Sequence, residues 1–193
     1  MSKKLTLDQI TQAAKEINVP LAALRAVIDV ECKGDGFNHD GTPVILFERH
    51  IFRRRLIANG KPDIALKAMR ERPDLCNTTM GGYGLSSAQH GRMAAATRYD
   101  RASALESASW GIGQILGYHW HDLGYVSLQS FINCMYRDEL GQLQAMCKFI
   151  VKNGLVKYLQ NQDWKNFALR YNGSAYAKNS YDIKLANAYK RYV

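Results

Sequence analysis

LAALRAVIDVEC, residues 21–32, is the stretch whose reading decides the fold. Leu24, Val27 and Ile28 fall at helical spacing, and three residues beyond Ile28 the same stripe lands on Glu31. A carboxylate therefore closes an apolar stripe, in the last turn of a helix that ends before Lys33-Gly34-Asp35-Gly36. Desolvation disfavours the charged form of such a glutamate, and the negative end of the helix dipole disfavours it again. A glutamic acid still protonated near neutral pH is what general acid catalysis requires. The competing reading turns Glu31 outward at the end of a surface helix.

On the N-terminal side, TLDQITQAAKEI (6–17) reads as a helix with Thr6 as N-cap and Leu7, Ile10, Ala14 and Ile17 on one face. Asn18-Val19-Pro20 turns the chain, and Pro20 opens the next helix. Two helices joined this way also outline a DNA-binding helix-turn-helix. Residues 1–31, however, carry four bases against four acids, and a recognition helix needs excess Lys or Arg toward phosphate.

On the C-terminal side, GFNHDGTPVILFE (36–48) reads as a β-hairpin with a type I′ turn at Asp40-Gly41 and a strand over Val44–Phe47. It ends on Glu48, a second carboxylate seventeen residues after the first. Glu48 either faces Glu31 across a cleft or pairs with an arginine of the helix that follows. That helix, IFRRRLIANG, is closed by Asn59-Gly60, and its arginines read as a solvated or anion-facing surface. Residues 61–90 are the least regular part. Their MGGYGLSS (80–87) presents Tyr83 on what is either a sugar-lining, hinged segment or a plain connection.

After a helix at about 91–106 comes SASWGIGQILGYHWHDLGY, residues 107–125. Ser107 or Ser109 can cap a helix whose first turn holds Gly111 and Gly113, each costing about 1 kcal/mol relative to Ala. Close approach of a ligand to the backbone would offset that cost. Gln114 would then stand at the cleft edge, able to donate and accept toward a hydroxyl or N-acetyl group. Trp110, Tyr118 and Trp120 are either stacking surfaces or core. His119 and His121 lack the spacing and the third ligand of a zinc site. The C-terminal third reads as helices at about 127–135, 137–153, 155–160, 163–171 and 179–192, with Leu140, Leu143, Cys147 and Ile150 striping the longest. Arg170-Tyr171-Asn172-Gly173-Ser174 ends one of them with an Asn-Gly αL cap. Tyr171 and Asn172 either serve that cap, or the Tyr171 hydroxyl reaches a carboxylic acid across a cleft.

The 193 residues suit one domain with a sizeable core. No apolar segment follows Lys3 and Lys4, and no run reaches the ~18 apolar residues of a membrane span, so a soluble chain made in the cytosol is expected. Cys32, Cys76, Cys134 and Cys147 form no CxxC and have no His partners at ligand spacing, which predicts free thiols and no metal. Nucleotide-binding glycine motifs are absent too, and no cofactor is expected. The net charge of +9 is unevenly spread: residues 49–101 hold eleven bases against four acids and residues 137–193 ten against four, whereas 32–48 and 102–136 are slightly acidic. That pattern suits a cationic body drawn to a polyanionic surface, with carboxylates kept in a cleft. On charge alone, nucleic acid, anionic cell wall and lipopolysaccharide all stay open.

A glutamate ending a helix, a hairpin, a Ser-x-Gly-x-x-Gln-Ile segment and a Tyr-Asn-Gly segment, in that order, resemble the lysozyme superfamily, including goose-type lysozymes and soluble lytic transglycosylases. The closer likeness is to the N-acetylmuramidase domain of bacteriophage endolysins. It is carried by Gly36-Phe37, PVILFERHIFRR (43–54), SASWGIGQILG (107–117), FALRYNGSAY (167–176) and NSYDIKLANAY (179–189), over nearly the whole chain. The resemblance implies a mainly α, lysozyme-like α+β fold, one domain over 1–193, with a small β-hairpin beside the catalytic helix. It makes Glu31 the catalytic acid and lines the substrate cleft with Gln114, Tyr171 and Asn172; Ser109, Tyr83 and the second carboxylate Glu48 complete the candidate set. Cys32 stands where such enzymes commonly have Ser, and Asp35 where they often have Gly; the added negative charge could raise the Glu31 pKa further. The implied substrate is bacterial peptidoglycan, cut between N-acetylmuramic acid and N-acetylglucosamine by a monomer that binds no nucleic acid. The runners-up are a lytic transglycosylase, needing no second carboxylate, and a cell-wall-binding module without turnover. The likeness also implies synthesis in a host cytoplasm and release to the wall through a holin, with the basic segments, the 179–193 helix among them, touching the anionic envelope.

Overall fold

The computed structural model describes residues 3–32 and 35–193; Lys33 and Gly34, in the break expected after Glu31, lie outside the described residues. Helix α1 (Leu7–Glu16) starts from a capping box in which Thr6 and Gln9 bond each other's backbone, and α2 (Leu21–Glu31) follows the Pro20 turn. Strand β1 (Ile45–Phe47) leads through Glu48 into α3 (Arg49–Ala58), closed by Asn59 and a left-handed Gly60. Then come α4 (Pro62–Glu71), α5 (Gln89–Thr97), α6 (Arg101–Glu106), β2 (Ala108–Trp110) and β3 (Ile115–Leu116). The chain finishes with α7 (Leu128–Arg137), α8 (Glu139–Lys152), α9 (Val156–Gln160), α10 (Trp164–Tyr171) and α11 (Tyr181–Tyr189). The chain is mainly α with one small antiparallel sheet of order β1-β2-β3.

The sheet departs from the sequence reading in its pairing. β1 pairs with β2, Ile45 opposite Trp110 and Phe47 opposite Ala108, while the 36–44 segment makes only a single bridge, Phe37 with Pro43. Its turn runs from Asn38 to Gly41, where the Gly41 N–H donates to the Asn38 carbonyl and only Gly41 is left-handed, so Asp40-Gly41 is not a type I′ pair. Residues 107–116 do not open a helix. Gly111 (φ 65°) and Gln114 (φ 47°) are left-handed and turn the chain from β2 into β3, a conformation an α-helix cannot hold.

Two more helices were hidden by punctuation. Pro62, within the 61–90 stretch expected to be least regular, occupies the first turn of α4, where its missing N–H costs nothing. The expected 91–106 helix is two, because Asp100 leaves helical geometry to accept from the Ser103 N–H and restart the chain as α6. The other helical expectations agree with the structure to within a few residues.

Two apolar clusters share α8. On one side Phe47, Phe52, Leu56, Trp110, Phe131 and Met135 pack around the sheet. On the other Leu24, Val27, Leu143, Met146, Ile150, Phe167 and Leu185 join α2, α8, α10 and α11. Phe149 and Tyr171 touch both, and the cleft described next opens between the two halves.

Candidate active site

Glu31 is the last residue of α2, half-buried, and its Oε1 accepts a hydrogen bond from Asn172 Nδ2 at 2.8 Å. The helix end thus points its carboxyl inward, and Asn172, which follows α10, uses its side chain on Glu31 rather than on a cap. Gly173 has a positive φ of 82° but a ψ of -179°, outside the left-handed helical region, so the expected Asn-Gly αL cap is absent. Glu31 and Asn172 line a cleft of about 460 Å³ together with Glu48, Ser109, Gln114 and Tyr171.

Opposite α2 the cleft wall is sheet and turn. Gln114 is held in its left-handed conformation by its own side chain, Nε2 donating to the Gly111 carbonyl at 2.9 Å, while Ser109 Oγ donates to Gln114 Oε1 at 3.0 Å. The Tyr171 hydroxyl donates to the Gly113 carbonyl at 2.8 Å and ties α10 to the same turn. Burial, then the Glu31 charge, pushes the Tyr171 phenol well above its ordinary range, so it stays a donor at any working pH. Of the aromatic candidates, Trp110 is core at 1% exposure, Trp120 spends its indole N–H on Glu106, and Tyr118 packs at a tilt against His119.

Glu48 links β1 to α3 and lines the cleft with 15% of its side chain exposed. Of the two alternatives for Glu48, the arginine pair is not seen among the described residues: Arg49 bonds the Thr79 and Met80 carbonyls, and Arg55 bonds Glu106. Its neighbours are the Tyr83 hydroxyl, 3.4 Å from Oε2, and His50 Nδ1, 3.7 Å from the same oxygen. Burial raises the Glu48 pKa, against a lowering by the Tyr83 bond. Tyr83 therefore stands behind Glu48 rather than along the cleft surface, which its neighbours Gly84 and Ser86 line. Asp35 also lines the cleft but is ion-paired with Lys4, so its charge is compensated where the sequence reading turned it toward Glu31.

The sequence profile of the Muramidase family, N-acetylmuramidase, matches residues 20–193. The chain belongs to the N-acetylmuramidase family. The muramidase is also similar to the crystal structure of Burkholderia AP3 phage endolysin, with a TM-score of 0.90 and 42% sequence identity over 100% of this chain and 72% of that one. No curated protein gives a match. The family makes the chain a peptidoglycan hydrolase with a lysozyme-like fold.

Three polar residues that support the muramidase cleft escaped the sequence reading. Gln142 on α8 accepts from the Ile112 N–H at 3.0 Å and donates to the Gly36 and Met135 carbonyls, joining the loop after Glu31 to the turn that carries Gln114. Glu139, one turn earlier, accepts from the Gly36 and Leu5 N–H groups. Gln89, buried in α5, accepts from the Phe47 N–H and donates to the Tyr83 and Leu85 carbonyls. The signal for Gln142 was the one that singled out Glu31: a polar side chain on a helix face otherwise given to Leu143, Met146 and Ile150.

Proposed function

We propose that the protein is a phage-type endolysin that hydrolyses the β-1,4 bond between N-acetylmuramic acid and N-acetylglucosamine, with Glu31 as the general acid. The observation that carries this reading is the Asn172 donor on Glu31 Oε1 at the end of α2, in a cleft that also holds Glu48. A donor on Oε1 directs the acid's proton to Oε2, and from there to the leaving glycosidic oxygen as an oxocarbenium-like transition state develops. Glu48, on the sheet side, is the second carboxylate that stabilises that charge or activates water. Ser109, Gln114 and the backbone around Gly111 and Gly113 offer hydrogen bonds to sugar hydroxyl and acetamido groups. The basic outer segments bring the enzyme to an anionic envelope, which it reaches from the host cytoplasm through a holin.

The test is clearing of purified peptidoglycan by wild type and Glu31→Gln, with mass analysis of the fragments. The variant should lose at least ~100-fold in rate, with reducing ends among the wild-type products. Anhydro ends would replace hydrolysis with transglycosylation, and unchanged clearing by Glu31→Gln would remove Glu31 from the chemistry.

A further inference from the structure

The muramidase reading leaves a largely buried titratable group beside Glu48 unused. His50, in the first turn of α3, has 12% of its side chain exposed, and its buried Nδ1 has no hydrogen-bond partner among the described residues. That nitrogen lies 3.7 Å from Glu48 Oε2. We propose that His50 is a positioning residue for Glu48: Tyr83 holds the carboxyl by Oε2, and His50, facing the same oxygen, takes up that carboxyl's proton so that Glu48 meets the substrate ionised. The inference rests on Glu48 being the second carboxylate.

The geometry divides the two oxygens of Glu48. Both the Tyr83 hydroxyl and His50 Nδ1 approach Oε2, while Glu48 itself lines the cleft, so Oε1 is the oxygen left for substrate or water. A second carboxylate must be charged to stabilise an oxocarbenium ion or accept a proton from water. Desolvation of Glu48 works against this, since it favours the neutral acid. The proton then needs a nearby acceptor. Tyr83 offers no phenolate to take it, because burial and the Glu48 charge raise its phenol pKa. Arg49 and Arg54 on α3 are already cations, and the Tyr118 phenol, raised by burial, faces the pair from the turn after β3 without accepting. Among the described residues, His50 Nδ1 is the base that faces this oxygen.

Burial also lowers the His50 pKa, helped by Arg54 and Arg49, so carboxyl and imidazole move from their ordinary values toward each other. Groups whose proton affinities approach each other share a proton more readily, and when they interact strongly their titrations couple. The step is a single transfer: Oε2–H breaks, Nδ1–H forms, and a neutral pair becomes a carboxylate beside an imidazolium, each stabilising the other.

Two measurements test this in the full chain. NMR titration of the His50 ring in wild type should show two coupled steps, and Glu48→Gln should collapse them to one with a lower midpoint. A single step unmoved by Glu48→Gln overturns the pair. In kinetics, His50→Gln should shift the acid limb of kcat/KM upward by roughly one pH unit, because the last proton then stays on Glu48, with KM at high pH little changed. In a Glu48→Gln background the same substitution should leave the residual profile unmoved. A His50→Gln enzyme with the wild-type acid limb overturns the proposal. If Glu48→Gln clears peptidoglycan at the wild-type rate, the second-carboxylate reading fails and His50's positioning role with it, while the titration reports separately on whether the pair shares a proton.

Discussion

Burial of Glu48 carries a stability consequence separate from its chemistry. Its folded pKa is raised, so the folded state binds that proton more tightly than the unfolded chain does. The favourable contribution is complete below the ordinary carboxylate pKa and is lost as pH rises through the raised value, leaving a desolvation penalty at neutral pH. Glu48→Gln removes the ionisation, and its Tm should exceed wild type at pH 7 and match it near pH 4; an equal Tm difference at both pH values would show that burial of charge is not the cause. The thiols divide on the same principle. Burial pushes Cys76 up to about 11 and Cys147 up to about 12, so neither yields appreciable thiolate at neutral pH, whereas Cys32 and Cys134 are only half-buried. Ellman titration of the native protein should therefore leave Cys76 and Cys147 unreacted until denaturant is added. Fast reaction of all four would place both buried thiols at the surface.

Elements are set by the few backbone positions where a side chain cannot go. Gly111 combines a φ of 65° with a Cβ position 2.5 Å from the Gln142 side chain, so Gly111→Ala must both strain the turn and break the link to α8. It should cost roughly 2–4 kcal/mol in urea unfolding and lower kcat, since Gln114 moves with the turn. Gly91, in α5, has open space around its Cβ and a helical backbone, so Gly91→Ala should instead stabilise by about 0.5–1 kcal/mol with activity unchanged. The same positions mark what was legible in the sequence. The helices α1, α2, α3 and α7–α11 announce themselves through caps and stripes such as Thr6-Gln9, Ser127-Ser130 and Leu143-Cys147-Ile150, which are local. The β2–β3 hairpin was not legible, because glycines that favour a left-handed turn look identical in sequence to glycines that admit a ligand. Nor could Pro62 declare whether it breaks a segment or starts one. At the site, Glu31 stood out as a carboxylate on an apolar stripe. The Asn172 bond to it spans 141 residues, and no local pattern reveals a contact of that range.

At the scale of the whole molecule, charge is segregated from chemistry. The described residues lining the cleft include Glu31, Asp35 and Glu48, whereas the excess bases lie in 49–101 and 137–193. Within the first of these, Arg55, Lys61 and Arg72 are ion-paired, but Arg54, Lys67, Arg70 and Arg98 are exposed and have no ion pair among the described residues. Such cations raise the encounter rate with a polyanionic wall without touching the scissile bond. Their reach is the Debye length, about 30 Å at 0.01 M salt and about 8 Å at 0.15 M, so the attraction is a low-salt effect on association. Replacing Lys67, Arg70 and Arg98 by Gln, with Arg54 kept because its charge acts on His50, removes three of the nine net positive charges and should raise the apparent KM on whole cell-wall sacculi at low salt while leaving kcat in place. Adding salt should bring wild type and variant together, because screening erases the contribution that the substitutions delete. Small uncharged muroglycan fragments should show neither effect, since they supply no extended field to steer by. A variant equally impaired on fragments and sacculi would mean that the arginines and the lysine act on the fold or the cleft, and equal kinetics on sacculi at every salt concentration would mean that this basic surface plays no part in reaching the wall.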